Sequence, residues 1–325
     1  MTAASLSYWV TRRMLSATRP ILGPVSRAVA ARYPNQVARI TARATRRLSR
    51  SRRETAQKAA LYLARRAPTN IPPVQGDHFG VTYRLNLRDN VQRDLYYLGG
   101  YEQALLSFLA DEVRPGDVFV DVGAHIGTIA LPMARLVAPD GAVIAFEPAL
   151  DTAADLERNA LRNGIVGLTV VGSALGVRAG QATLRESESK LYHAADMGVR
   201  SLHGAGRPIA EVPVISFDEW VTEARIRRLD LVKIDVEGSE YDVLRGMQKS
   251  IRAYGPRLLV IEVVPAHLER SGASPQLVEE FLNNEGYQAH GPAISTIATR
   301  RVGPYWPNAI LRLDPRRSGR SQGSP

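Results

Sequence analysis

Short apolar runs alternate with amphipathic stretches from about residue 79 to residue 313, and that alternation sets the expected architecture. Phe79, Val81, Tyr83, Leu85 and Leu87 fall at every second position and predict a half-buried strand. Asp89 follows as the cap of a short helix through Leu98 that Gly99-Gly100 stops, and a second helix runs from Tyr101-Glu102 to Val113. After the turn at Pro115-Gly116-Asp117, Val118–Val122 is a continuous apolar run broken only by Asp121, as expected of a strand covered on both faces of a parallel sheet. Helical character extends to Val137, with Pro132 expected to interrupt it early. Ala142–Phe146 reads as the next strand, Asp151 as the cap of a helix reaching Asn163-Gly164, and Leu168–Val171 as the third strand. Gln181 to Arg185 looks like an added strand, Val212 to Ile215 a short one, and Phe217 to Ala224 a helix. Leu231–Ile234, a helix from Gly238 to Lys249, a strand over Arg257 to Val263, a helix from Ser274-Pro275 to Asn284, and closing strands at Tyr287 and Ala309 to Leu313 complete the series. The expectation is an α/β domain, Rossmann-like and doubly wound, with a mostly parallel sheet and helices on both faces.

Composition adds most at the N-terminal end. At 45% apolar and 23% charged, the 325 residues are ordinary for a globular chain and suffice for one substantial core. The absence of cysteine excludes disulfides, zinc-thiolate sites and a cysteine nucleophile, and fits a reducing, cytoplasmic setting. No window approaches the roughly 18 apolar residues of a membrane span, and no signal-peptide core opens the chain. The net charge of +10 is local. Residues 1–66 hold 15 Arg or Lys against Glu54 alone, a charge of +14, whereas the remainder has 27 basic and 31 acidic residues, or −4. This basic arm is helix-compatible from about Gln36 to Arg66, with Val37, Ile40, Ala44 and Leu48 as a narrow apolar stripe. Two readings stay open for it: a helix peripheral at an anionic membrane surface, and a solvated, partly disordered extension. Nucleic acid is a poorer partner, because few aromatics accompany the charge. Pro68, Pro72 and Pro73 mark a linker, so the expected order is arm (1–66), linker with an N-terminal strand and helix cap (67–115), catalytic domain (116–313) and disordered tail (314–325).

Two constellations carry candidate chemistry. The first is Asp121-x-Gly123-x-x-x-Gly127, with Ala124 and His125 inside the turn, followed 20 residues beyond Gly127 by Glu147 at the end of the next apolar run. The glycines allow a tight turn and a close backbone approach, and a carboxylate at Glu147 is placed to accept from both ribose hydroxyls of a nucleoside. A pyrophosphate cradle wants three close glycines. This looser turn, with an acid just ahead of it, suits a ligand with no phosphate and a positive centre, namely S-adenosylmethionine. Asp121 is then expected to hold the cofactor's amino group, Ser173 or Ala174 to flank the adenine, and Tyr101 and Glu102 to cover the donor or acceptor pocket. A glycine turn with no ligand, and a Glu147-Pro148 pair that merely closes a strand, is the plainer alternative.

The second constellation places Asp235, Glu237 and Glu240 within six residues, with Lys233 just before them. In an open α/β sheet these would face the first loop across the crevice at the carboxyl ends of the strands. Methyl transfer to an alcohol needs a base within hydrogen-bond reach. Asp235 is the first candidate, Glu237 the second and His125 a third, with Lys233 part of the acid-base cluster. The plainer reading has Glu237 and Glu240 favouring a helix N-terminus and Lys233 pairing with a neighbour. The polar stretch from Glu186 to Gly206 is the expected acceptor-contacting loop.

Gly100-Tyr101-Glu102, Pro115-Gly116-Asp117, Phe119 to Gly127, Phe146-Glu147-Pro148 and Leu231 to Glu240 together resemble the signature blocks of the FkbM-type methyltransferases, over roughly residues 79 to 290. The resemblance implies a seven-stranded Rossmann-like sheet, S-adenosylmethionine as donor, and O-methylation of a hydroxyl on a small molecule, sugar, glycolipid or polyketide. Two positions depart from the pattern: His125 stands where the family usually has Asn, and Ser239 where it usually has Ala. A protonated imidazole beside a sulfonium is unfavourable, so cofactor affinity is expected to fall below about pH 6.5. The leading reading assigns no metal. Its alternatives are Asp235, Glu237 and Glu262 holding a magnesium ion on the same fold, a nicotinamide-dependent oxidoreductase, which the missing third glycine disfavours, and a non-catalytic scaffold tethered by its arm.

Overall fold

A computed structural model describes residues 72–186, 200–291, 294 and 308–314, which fall in two compact units. The basic arm, the segment 187–199 and the tail from residue 315 lie outside the described residues. Among the described residues, no helix is long and apolar enough to cross a membrane.

The first unit, described over residues 72–103, is a hairpin and a helix. Strands β1 (Val74–His78) and β2 (Val81–Leu85) pair antiparallel from Val74 opposite Leu85 to His78 opposite Val81. Phe79 and Gly80 form the two-residue turn at φ 48° and 77°, the left-handed pair that matches the twist of a tight hairpin. Phe79 is therefore an exposed turn residue, not the strand residue that the alternation predicts, while Val81, Tyr83 and Leu85 are buried as expected. Helix α1 (Asn90–Leu98) starts as anticipated: Asp89 Oδ1 accepts the Gln92 N–H at 2.9 Å, and Gly99 closes it at φ 71°.

The second unit contains α2 (Gln103–Glu112), β3 (Val118–Val122), α3 (Ala130–Val137), β4 (Ala142–Phe146), α4 (Leu150–Arg162), β5 (Leu168–Val171), β6 (Ala174–Leu175), β7 (Gly180–Glu186), β8 (Arg200–Ser201), β9 (Pro208–Ile215) and α5 (Phe217–Glu223). It continues through β10 (Leu231–Ile234), α6 (Glu240–Gly246), α7 (Gln248–Tyr254), β11 (Leu258–Glu262), α8 (Pro265–Leu268), α9 (Pro275–Asn284), β12 (Tyr287–Ala289) and β13 (Asn308–Leu313). Seven strands form the main sheet in the order β12-β13-β11-β10-β3-β4-β5. β5, β4, β3, β10 and β11 run parallel, and β13 is antiparallel to both neighbours. The order moves outward one way from β3 through β4 to β5 and the other way from β10 to β11. Right-handed crossovers in opposite directions place helices on opposite faces, and the reversal between β3 and β10 opens a crevice at their carboxyl ends. The mostly parallel seven-stranded sheet agrees with expectation.

Four local expectations are corrected by packing. Pro132 does not interrupt α3; it is the third residue, in the first turn, where a backbone N–H has no intrahelical partner to lose. Asp151 is not a cap but a first-turn residue of α4, which Ala149 precedes. The helix expected from Gly238 to Lys249 is two helices. Gly246 lies against the Gly176 carbonyl so closely that a Cβ would overlap it, Ser216 Oγ donates to Gly246 O at 3.1 Å, and Asp218 accepts the Lys249 and Ser250 N–H groups at 3.0 and 2.7 Å to start α7. Finally, β6, β7, β8 and β9 make a separate four-stranded sheet, in which the expected short strand Val212 to Ile215 is the end of the eight-residue β9.

The core of this unit is continuous across the sheet, with Val120, Val122, Ile144, Val232, Ile234, Leu259 and Ile261 buried together with Phe146, Phe217 and Leu244. Burial on this scale contributes about 1.5–3 kcal/mol for each large side chain. At the amino ends of the strands, Asp117 is 1% exposed and accepts from Arg114 N at 2.7 Å, Arg228 Nη2 at 3.1 Å and Arg257 Nη2 at 2.6 Å. Asp230 holds the same two arginines and takes the Val118 N–H at 2.8 Å. Both arginines keep water contact and Asp230, so loss of Asp117 leaves them partly satisfied. Asp117→Ala is expected to cost about 1–3 kcal/mol, measured by urea unfolding.

Candidate active site at the β3–β10 crevice

β3 and β10 are neighbours in register, with Lys233 directly opposite Asp121 and the Asp235 N–H donating to Val122 O at 3.0 Å. Their carboxyl ends therefore share one edge. Gly123 makes that approach possible: it sits at φ 80°, and any Cβ there would overlap the Asp235 carbonyl. Gly127, at φ 86°, closes the turn against Leu131 and Leu156.

On the β3–β4 side, Gly123 and Ala124 both donate to Phe146 O at 3.0 Å. Glu147, just past β4, is buried, with Oε2 accepting the His125 N–H and Oε1 the Ala149 N–H, each at 2.9 Å. It thus fastens the glycine turn to the start of α4. Burial pushes its carboxyl above the usual range, while the His125 ring, those two N–H groups and the Arg200 guanidinium act the other way. Among the described residues each oxygen accepts one hydrogen bond, and so retains a lone pair for a further donor. His125 holds φ 51°, a conformation that histidine tolerates better than most side chains, and its contact to Glu147 is made by its backbone.

On the β10–β11 side, Lys233 is 3% exposed and stands 3.2 Å from Asp121 Oδ1 and 3.4 Å from Asp235 Oδ2. Asp121 is wholly buried; burial raises its carboxyl above the ordinary value and the Lys233 ammonium pulls it back. The structure therefore places Asp121 beneath the crevice as a partner of Lys233. Glu237 occupies φ 56° and Gly238 φ 115°, and Glu237 Oε2 is 2.8 Å from His267 Nδ1 on α8. Asp235, Glu237 and Glu262 each bring one oxygen within 4.8 Å of the others, a spacing that suits a cation or a proton-handling cluster. Lys233 beside Asp235 and His267 beside Glu237 favour the second.

β8 bridges the two sides. Arg200 makes a two-pronged pair with Asp151 at 2.6 and 2.9 Å, holding that carboxyl down at about 2, and Ser201 Oγ donates to Glu237 O at 2.8 Å. Of the other expected residues, Ser173 is half-buried beside β6, and Ala174 is buried within it, paired to Val214. Tyr101 and Glu102 belong to the first unit, in the bend after α1. Arg200 and Ser201 lie in the expected acceptor-contacting stretch Glu186 to Gly206 but were not singled out within it, and His267 escaped the sequence reading although it is a histidine just past a strand end and Pro265.

Glu240 is 1% exposed and reaches back to accept the Gly238 N–H at 3.0 Å and the Val236 N–H at 3.3 Å. Burial moves its carboxyl from 4.5 up to about 7. The folded state then keeps a proton over a range where the unfolded chain has released it, so stability falls as pH rises from 4.5 to about 7. The loss amounts to roughly 3 kcal/mol. Glu240→Gln, whose amide oxygen can accept the same two bonds, should match wild type near the acid end of that range and exceed it above the upper end, as read by urea unfolding across pH.

Comparison with known proteins agrees with this geometry. Residues 121–289 match the methyltransferase FkbM domain. The hexuronic acid methyltransferase AglP of Haloferax volcanii is 28% identical over 182 residues, covering 56% of this chain and 68% of that protein. The methyltransferase sdnD of Sordaria araneosa is 30% identical over 194 residues, 52% of this chain and 72% of its own. The 31-O-demethyl-FK506 methyltransferase FkbM of Streptomyces tacrolimicus is 35% identical over 162 residues, 42% and 62% respectively.

Proposed function

This chain belongs to the FkbM methyltransferase family, and from that premise we propose that it moves a methyl group from S-adenosylmethionine to a hydroxyl oxygen of a small molecule or glycan. The observation that supports this most directly is one crevice with two differently equipped sides. Glu147 stands at the β4 tip, bound to the glycine turn through the His125 N–H at 2.9 Å, and Asp235 stands beyond β3 at the β10 tip.

The residues present fit a nucleoside with a cationic centre. Glu147 has lone pairs for the ribose hydroxyls, Gly123 and Gly127 bring main chain close, and the acids of the β10 tip favour positive charge near them. Ser173 and Ala174 flank the adenine in the same reading. When bound, S-adenosylmethionine supplies a methyl carbon on a good sulfur leaving group. The protein's share is placement: the acceptor oxygen must lie opposite that sulfur, about 3–3.5 Å from the carbon. Asp235, steadied by Lys233, accepts the acceptor's hydroxyl hydrogen and so turns an oxygen lone pair toward the methyl group. Two relatives bear names that specify a hexuronic acid and 31-O-demethyl-FK506, which supports an oxygen acceptor here.

Labelled methyl transfer from S-adenosylmethionine into fractionated lipid and glycan extracts of the source cells, with the product identified, tests the assignment. Glu147→Ala should weaken cofactor binding at least about tenfold by calorimetry, as expected for lost hydrogen bonds to a charged group. Asp235→Asn should lower kcat at least about tenfold with cofactor binding nearly intact. Activity should survive a chelator; its loss in chelator and return with magnesium would assign the Asp235, Glu237 and Glu262 oxygens to a metal instead. Thermal stabilisation by a nicotinamide dinucleotide and not by S-adenosylmethionine would overturn the methyltransferase reading.

A further inference from the structure

Three charged groups stand in a row at the seam between β3 and β10. Lys233 Nζ donates to Asp121 Oδ1 at 3.2 Å and lies 3.4 Å from Asp235 Oδ2. Strand register sets the row: Lys233 is paired directly with Asp121, and Asp235 follows two positions on, where alternation returns a side chain to the same face. Access is graded along it. The side chains of Asp121, Lys233 and Asp235 are 0%, 3% and 20% exposed. Asp121 Oδ2 is enclosed as well, with no hydrogen-bond partner among the described residues. Asp235 is therefore the member of the row that meets the crevice, and Asp121 is sealed beneath it.

The charge on this row changes during methyl transfer. Burial disfavours the Asp121 charge and the Lys233 ammonium favours it, so the two ions depend on one another. With both carboxylates ionised and Lys233 protonated, the row carries one surplus negative charge. Once Asp235 has taken a hydroxyl proton the row is neutral, and the ammonium is still matched by Asp121. Without Asp121 the same step would start from a neutral pair and end with a buried ammonium facing no carboxylate in the row. Low local dielectric makes such a state costly. The sealed acid thus bears on the proton transfer while touching neither the acceptor nor the moving proton.

We propose that Asp121 is a positioning residue for this reaction: through Lys233 it holds the charge balance that lets Asp235 take the acceptor's proton. The inference rests on the methyltransferase reading above, and it differs from the role that the sequence suggests for Asp121, a hold on the cofactor's amino group. The acceptor oxygen bonds to the methyl carbon as the carbon–sulfur bond breaks, and the electron pair of that bond stays on sulfur. The hydroxyl proton passes to Asp235. Lys233 remains an ammonium throughout, bonded to Asp121 Oδ1.

The test is a cycle on the full-length chain. Wild type, Asp121→Asn, Lys233→Met and the double variant are compared on the extract fraction that wild type methylates, with S-adenosylhomocysteine binding measured by calorimetry. Asparagine keeps the size of Asp121 and an oxygen for Lys233, but not the charge. Asp121→Asn should lower kcat at least about tenfold, with S-adenosylhomocysteine binding and the acceptor's KM within about threefold of wild type. Lys233→Met removes the ammonium that needs matching, and Asp121 can then take up a proton. The double variant should therefore match Lys233→Met within about threefold in kcat. That comparison holds even if Asp121→Asn alone fails to fold, because neither of its members contains the ammonium. An unchanged kcat in Asp121→Asn, a loss of S-adenosylhomocysteine binding in that variant, or a double variant about tenfold slower than Lys233→Met would overturn the assignment. A wild-type chain that methylates no fraction would overturn the underlying reading together with it.

Discussion

A buried ammonium held between two carboxylates organises this molecule. Lys233 is almost without water contact, and an isolated ammonium in that setting would shed its proton or unfold the strand around it. Asp121 across the β3–β10 ladder and Asp235 two residues on make its charge tolerable at 3.2 and 3.4 Å. The requirement runs in both directions. Asp121 is equally buried, so neither strand can slip by one residue without leaving a charge unpaired, and a one-residue slip would also turn every side chain to the other face. Gly123 follows from the same constraint, because β10 can come this near only if the residue after β3 has no side chain. The width of the crevice between the two strands is thus set from beneath.

What lines the rim is held by strain and by long-range ties. His125, Glu237 and Gly238 all take left-handed backbone at the edge of the crevice, at φ 51°, 56° and 115°. Only Gly238 does so freely. For the other two, the neighbours that impose the conformation are identifiable: the Glu147 carboxylate takes the His125 N–H, and Ser201 takes the Glu237 carbonyl. β8 contributes to both flanks, since Arg200 reaches Asp151 on α4 while Ser201 reaches the β10 loop. Two consecutive residues therefore couple the nucleoside side of the crevice to the acceptor side without lying in the main sheet.

The main sheet was legible in the sequence because its strands are nearly continuous apolar runs and its helices carry ordinary signals such as Ser274 before Pro275. Where the local patterns misled, either an adjacent turn or a distant contact had decided the matter. Gly246 breaks a helix because a Gly176 carbonyl occupies its flank, and Phe79 leaves its strand because Gly80 completes a two-residue turn. The candidate site divides in the same way. Glu147, Gly123 and Asp235 stand at the ends of strands that periodicity locates, so their meeting could be anticipated from strand order alone. The partnership of Lys233 with Asp121, 112 positions away, needed the register, and the approach of His267 to Glu237 needed the placement of a four-residue helix that no pattern specifies.

That division has a chemical consequence. The glycine turn on the nucleoside side is tied chiefly by main chain: N–H groups from His125 and Ala149 on Glu147, carbonyl contacts at Phe146, and glycines where backbone must approach. Such a surface changes little when side chains are exchanged. The acceptor side is made of side chains carried on short connections, namely Asp235 and Glu237 on the β10 loop, Glu262 at the end of β11 and His267 on α8, with β8 fastened to them through Ser201. Replacing one of these alters hydrogen bonding to the acceptor while the strand ladder and the ion pair beneath it remain. A crevice constructed in this way can keep one donor and vary its recipient, because the two depend on different kinds of atoms.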